Sequence, residues 1–386
     1  MDKPKNKFWQ KLEKRFGKAE SDVISKFGKS YFNGIKGWQY SEEDLKKANK
    51  EGKLITMDLD FPGNKCRLDC VYCFAKVGEK TGTYYRPGEG DKPLTLKEVK
   101  SFLVEAKKLG LKSIKVIGFR EPFDNPGFYD FIDFTTKLGL HLVVFTAGYT
   151  LGEENFGGDL QKAVNFLAER PVSLMVKLHT LDKNKEDKIV NLKGFSEKRD
   201  KVLRMLLDDK RFTNCNPTRL GIENVISSQN IEELLTIYEY FKIWRNVFVD
   251  LDPPIPMGRT GTLEEAEKAG LLPQDKLKEL CIKVYKINQK YGIPFIGVSP
   301  YFGGNPCTQL TNGLYLTLSG KVMTCCGGDE EIGNIRKQAV KEIFENNPHK
   351  NKDCIFHNCP YREKRGIMTK EFIEEVEEKI HVAGKF

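Results

Sequence analysis

NKCRLDCVYCFAK, Asn64 to Lys76, sets Cys66, Cys70 and Cys73 at intervals of four and three, so that three thiolates can converge from one short loop. No fourth cysteine or histidine lies nearby. Structural zinc sites are closed by four ligands, usually as two CxxC-like pairs, whereas three thiolates on a cubane iron–sulfur cluster leave one iron free for a substrate or cofactor. The open iron is the functional reading of the loop. The bland readings are a zinc half-site completed from elsewhere and three buried thiols in a core. A three-cysteine loop is poor zinc geometry, and buried structural thiols need no fixed spacing.

Leu54 to Phe61 (LITMDLDF) alternates as a strand does and delivers the chain straight into the loop, which places the cysteines at a strand's C-terminal end. Downstream, Thr95 and Glu98 form a capping box for a helix in which Leu96, Val99, Phe102, Leu103 and Ala106 repeat at helical spacing until Gly110. Strands are expected at Ser113 to Gly118, His141 to Thr146, Val172 to Leu178, Arg219 to Val225 and Val247 to Leu251. Helices are expected at Phe128 to Lys137, Leu160 to Ala168, Lys198 to Leu207, Ile231 to Phe241 and Gln274 to Lys290. This α/β alternation predicts parallel strands joined by crossovers, with chemistry at the strands' C-terminal ends. Ahead of it, Phe8, Trp9, Leu12 and Phe16 at helical spacing, and Ser41 with Asp44 capping a second helix, make a helical preface over 1–52 expected to pack on its own barrel.

A chain of 386 residues holds one barrel of about 250 residues, here 53–296, and an appendage, 297–386. No run of about 18 apolar residues occurs, and MDKPKNKFWQ lacks the apolar segment of a secretory signal, so a cytoplasmic protein with no membrane partner is expected. Ten cysteines in such a chain point to metal or redox chemistry rather than disulfides. The net charge of +9 suits solubility, but charge alone does not establish a nucleic-acid partner.

With Tyr72 before the last cysteine and Phe74 after it, the CxxxCxxC loop closely resembles the signature of the radical S-adenosylmethionine (SAM) superfamily. The resemblance covers approximately Leu54 to Pro294 and implies a partial (β/α)6 TIM-like barrel. It implies a [4Fe-4S] cluster on Cys66, Cys70 and Cys73 whose open iron chelates SAM, which is cleaved to a 5′-deoxyadenosyl radical that takes a substrate hydrogen. An electron donor such as flavodoxin or ferredoxin is implied with it. Tyr72 is carried over as a cofactor-binding candidate. GFREP stands where relatives carry a GGEP-like motif that receives the amino group of SAM, which makes Gly118, Glu121 and Pro122 candidates, Phe119 and Arg120 replacing the second glycine. Lys177, which shares strand parity with His179, is a candidate partner for the SAM carboxylate, and Glu223 in LGIENVI is a polar candidate inside the mouth. DPPIPMGR, Asp252 to Arg259, fixes a bend where relatives offer backbone groups to adenine.

Cys307, Gly320 and Cys325 reproduce the C…Gx4C opening of the SPASM and twitch extensions of that superfamily, and GLYLTLSGKVMTC reads as a hairpin about a Ser-Gly turn. Ile332 to Ile335 (IGNI), a helix near Gln338 to Phe344, and then Cys354 and Cys359 continue the resemblance. It implies one auxiliary [4Fe-4S] cluster on Cys307, Cys325, Cys354 and Cys359, because a full SPASM domain carries further cysteines for a second. Four thiolates satisfy zinc equally, so a zinc knuckle is the bland reading of this β-hairpin and helix extension. His357 is a substitute ligand candidate, and Cys326 is a buried thiol, the ligand in place of Cys325, or a catalytic hydrogen donor. Cys215 and Cys281 have no spacing partner, and Cys281 belongs to the core of an amphipathic helix. The expected activity is that of a radical SAM oxidoreductase or maturase acting on a peptide or protein side chain. The alternatives are dehydrogenation or epimerisation of a small polyol or amino sugar, and, in another class, a zinc-containing nucleic-acid-binding protein.

Overall fold

The computed structural model describes residues 3–4, 6–62, 66–76, 92–118, 120–305, 307, 309–328, 330–350 and 359–383. Six strands, β1 (Thr56–Asp60), β2 (Ser113–Gly118), β3 (His141–Thr146), β4 (Val172–Lys177), β5 (Leu220–Val225) and β6 (Phe248–Asp252), lie side by side in chain order, all parallel. Their alternation sorts the side chains onto two faces. Met57, Val116, Val144, Val176, Ile222 and Leu251 are buried in the main core. The opposite parity gathers Val143, Met175 and Phe248 with Ile35 and Trp38 in a separate apolar plug. One step nearer the strands' C-terminal ends on that same face, Phe145, Lys177 and Asp250 follow those three residues and line cavities. Gly221 permits the plug to fill, since a Cβ there would stand 2.1 Å from Met175 Sδ.

The expected elements form with small shifts at their ends. The capping box at Thr95 and Glu98 starts the helix Leu96–Lys108. The helix Phe195–Asp208 begins three residues ahead of expectation because Gly194 takes φ +78 at its N-cap, a conformation that costs glycine little. Ile231–Tyr238 gives way to a π turn, Glu239–Ile243, before its expected end at Phe241. A helix that the periodicity did not show, Lys183–Val190, is capped by Asp182, which accepts from the backbone N–H groups of Asn184 and Lys185. In the preface, helix Lys7–Phe16 buries Trp9, Leu12 and Phe16, and Trp9 stands edge-on to Tyr240 at 5.3 Å, so its apolar stripe is spent on the chain's own barrel helices.

The C-terminal hairpin, β7 (Gly313–Leu316) and β8 (Lys321–Met323), forms as expected and gains a third strand, β9 (Glu331–Asn334). Its first strand pairs parallel with β1, so one nine-stranded sheet runs β6-β5-β4-β3-β2-β1-β7-β8-β9. Buried Asp60 completes the joint by accepting from Tyr315 Oη at 2.7 Å and from the Leu318 N–H at 3.3 Å. Arg336 bonds Glu98 at 2.7 Å and the Lys92 carbonyl at 2.7 Å, tying the extension to the first crossover helix. That guanidinium holds the Glu98 carboxyl down to about 2. The last helix, Lys370–Ala383, lies along Gln274–Lys290, with Lys278 paired to Glu375.

Candidate active site

Cys66, Cys70 and Cys73 line one cavity together with Tyr72, Glu121, Lys177 and Glu223 at the C-terminal ends of the parallel strands. The cysteine loop is held from two sides. Asp69 and Val71 donate their backbone N–H groups to the carbonyls of Val190 and Ile189 at 2.9 and 3.1 Å, which is the use the Lys183–Val190 helix end finds. From the other side comes Arg259, whose guanidinium reaches the Cys70 carbonyl at 2.8 Å and Asp69 at 2.8 Å while its backbone N–H donates to the Cys73 carbonyl at 3.1 Å. Gly258 makes this approach possible: at φ +61, a Cβ would lie 2.3 Å from the Phe74 carbonyl oxygen. The DPPIPMGR segment thus clamps the cysteine loop, a role that sequence reasoning missed, although a Gly-Arg pair closing a proline-rich bend was the available signal.

Burial pushes the Cys66 thiol up to about 11 and the Cys70 thiol up to about 12. Such thiols become ligands only when a positive centre arrives, and iron supplies it, so the donor set fits a cluster loaded with loss of protons. Lys177 stands 3.5 Å from Glu223 Oε2 across β4 and β5. Burial opposes its charge, but Glu223 and the thiols more than offset that and hold the ammonium. His179, of the same parity, goes elsewhere because β4 ends at Lys177. Its buried ring accepts the Val225 N–H on Nδ1 at 3.2 Å, which leaves the proton on Nε2 facing Tyr72 Oη. Burial, with Lys177 and Arg199 near, pushes His179 well below its ordinary value, so this neutral imidazole positions Tyr72. Beneath it, buried Glu186 accepts the Thr180 N–H at 2.8 Å and pairs with Arg199 at 2.9 Å.

Of the GFREP candidates, Glu121 lines the cavity. Its carboxylate is already engaged, accepting from Thr146 Oγ1 and, at 2.7 Å, from the Ala147 N–H, so it fastens the end of β2 to the end of β3. Burial raises it to about 7. Gly118 ends β2, and buried Pro122 opens the short turn Pro122–Asp124.

Cys307, Cys325, Cys326 and Cys359 come together on a second cavity. Cys354 and His357 lie outside the described residues. The two cavities share a wall made of Phe74, Ile117, Phe145, Glu223, Asp252 and Ile255. Burial pushes Cys307 up to about 12, and Cys325 Sγ accepts the Gly327 N–H at 3.4 Å. Cys281 is buried in the core as expected, and Cys215 donates to the Phe212 carbonyl at 3.3 Å, away from either cavity. Among the described residues no three His, Cys, Asp or Glu side chains converge on a single-ion site, whereas an iron–sulfur cluster spaces its thiolates around several irons.

The radical SAM superfamily matches residues 61–240, and the SPASM iron–sulfur cluster-binding domain matches residues 307–369. An AdoMet-dependent heme synthase of Methanosarcina barkeri (strain Fusaro / DSM 804) is 25% identical over 301 residues, 73% of this chain and 79% of that protein. The crystal structure of Streptococcus suis SuiB bound to precursor peptide SuiA aligns with a TM-score of 0.54 at 14% identity, over 81% of this chain and 70% of that one. SuiB bound to S-adenosylmethionine aligns with a TM-score of 0.51 at 16% identity, over 79% and 69%. At these identities the likeness to SuiB is one of fold, a parallel sheet under helices with an antiparallel hairpin at its C-terminal side.

Proposed function

For a chain that joins a radical SAM domain to a SPASM domain, and so implies a [4Fe-4S] cluster, SAM and auxiliary iron–sulfur binding, we propose hydrogen abstraction from a peptide or protein side chain, followed by its oxidation or cross-linking. The observation that carries this reading is the shared wall: Phe74, Ile117, Phe145, Glu223, Asp252 and Ile255 line the cavities of both cysteine sets, so a substrate against that wall lies near both. Cys66, Cys70 and Cys73 would hold a cluster with an open iron, which with SAM would supply a 5′-deoxyadenosyl radical. Arg259, Lys76 and the Lys183–Val190 helix end hold those thiols in place. Lys177 offers a charged partner for the SAM carboxylate, and Glu223 keeps that ammonium on the cavity wall. On the far side, Cys307, Cys325 and Cys359, with Cys354, would hold the auxiliary cluster.

The electron count closes. A donor such as flavodoxin or ferredoxin would supply the one electron that cleaves SAM to methionine and, with the substrate hydrogen, 5′-deoxyadenosine. Loss of one further electron, for which Cys307, Cys325, Cys359 and Cys354 would hold the acceptor, and of one proton would complete a two-electron oxidation of the substrate. Support for a peptide comes from the fold shared with SuiB, whose structure holds a precursor peptide. The test replaces Cys66, Cys70 and Cys73 together by Ala in anaerobically reconstituted protein. 5′-Deoxyadenosine formation with dithionite should disappear while the tail keeps its iron and its absorbance near ~400 nm. Continued formation of 5′-deoxyadenosine by the triple variant would falsify the assignment.

A further inference from the structure

Among the described residues, the lining of the second cavity is short of hydrogen-bond donors. Asp250 Oδ1 and Gln309 Oε1 are buried acceptors with no hydrogen-bond donor among the described residues, and both residues line the second cavity beside the ion-paired carboxylates of Asp58 and Glu223. On the donor side the same cavity leaves Arg362 Nε. Buried acceptors without donors are costly, more so when charged, and natural proteins carry few of them. The cations already present are committed: Lys115 lies 2.8 Å from Asp58, Lys177 is held by Glu223, and Arg362 spans Asp252 and the carbonyls of Pro300 and Pro253. Asp250 is 3% exposed and has no ion pair among the described residues. The residue behind it, Lys242, points its Nζ over the Phe248 ring at 4.7 Å rather than at the carboxylate, and burial pushes that amine down to about 7.

On the proposed function, we infer that this space takes an alkylammonium or guanidinium group of the substrate, and that Asp250 is the residue that selects it. The group supplies several N–H donors to acceptors that lack them and a positive charge beside Asp250, Asp252 and Glu223. Its alkyl stem meets aromatic walls, since Trp38, Tyr301 and Phe145 line the same cavity, with Trp38 5.1 Å from Tyr301 and 5.2 Å from Phe145. The elevation of Asp250 by burial and by the carboxylates of Asp252 and Glu223 is what an incoming cation relieves. An anionic group would meet those carboxylates instead, and a neutral hydrocarbon would leave the acceptors unsatisfied.

The inference is tested by equilibrium binding to the reconstituted, SAM-loaded protein, with Nα-acetyl-lysine methylamide and its norleucine counterpart as probes. The lysine probe should bind about tenfold more tightly than the norleucine probe. Asp250→Asn should shrink that preference to less than about twofold, without a lower Tm, because it removes a buried unpaired carboxylate. Butylammonium locates the source of the cation: binding weaker than the lysine probe assigns it to a peptide, and equal binding to a small amine. Equal or tighter binding of norleucine, a preference that survives in Asp250→Asn, or no lysine-probe binding at about 10 mM overturns the inference. The first of these comparisons is made on the wild type and does not depend on the variant's folding. Formation of 5′-deoxyadenosine by the same preparation reads the SAM chemistry separately, so the loss of one reading is not mistaken for the loss of the other.

Discussion

Glu121 shows how one side chain can serve the fold and still burden it. Its folded value of about 7 stands above the unfolded 4.5, so the folded state holds the proton more tightly. The stability this contributes is fully present below the unfolded value and is lost as pH rises through the folded one, an effect on the order of 3 kcal/mol. Glu121→Gln cannot titrate, so its Tm minus that of wild type should become more positive between about pH 5 and about pH 8. A constant difference would place the cost elsewhere. Cys326 carries a second prediction, since it lines the space shared with the auxiliary cysteines. If the outcome is oxidation or cross-linking, turnover in deuterated water leaves no deuterium at the reacting carbon, and Cys326→Ala works normally. Solvent deuterium in the product and a dead Cys326→Ala would identify an epimerase. Strand parity made Lys177 legible and His179 deceptive, because parity holds only while the strand continues and β4 stops between them.

At the scale of elements, apolar alternation exposed all six parallel strands, because their outer face is a continuous hydrophobic layer under helices. What it could not expose were features fixed by distant partners. The π turn at Glu239–Ile243 and the pairing of β9 with β8 depend on neighbours that no local window contains. The clamp of Gly258 and Arg259 on the cysteine loop is of this kind, and it is sharply testable. Gly258→Ala puts a methyl against the Phe74 backbone and forces a positive φ on alanine, costs of about 1–3 kcal/mol from the backbone alone. The damage should fall on one iron site. Iron bound by the first cysteine set and 5′-deoxyadenosine formation should drop several-fold, while a Cys66, Cys70, Cys73 to Ala background shows tail iron unchanged by Gly258→Ala. Equal loss from both sites would mean that the segment supports the whole barrel instead.

For the whole molecule, the sequence separates barrel and tail at Ile296, but hydrogen bonding does not, since β7 continues the sheet from β1. Ending the chain at Ile296 strips the β1 edge and removes the Tyr315 and Leu318 donors from buried Asp60, leaving a bare strand edge. That fragment should be recovered as aggregate, and a soluble monomer on size-exclusion chromatography would show that the barrel stands without its tail. Point changes are gentler. Cys307→Ala or Cys359→Ala should remove roughly half the iron and reduce product formation more than SAM cleavage. The β1–β7 ladder also works as a ruler. Adjacent strands keep a spacing of about 4.8 Å, so on the proposed function the auxiliary set takes its electron from the substrate across a gap set by backbone pairing and not by the swing of a linker. Tunnelling across a gap of fixed width is indifferent to solvent friction, and added glycerol should therefore slow substrate entry while leaving the internal electron step at its original rate.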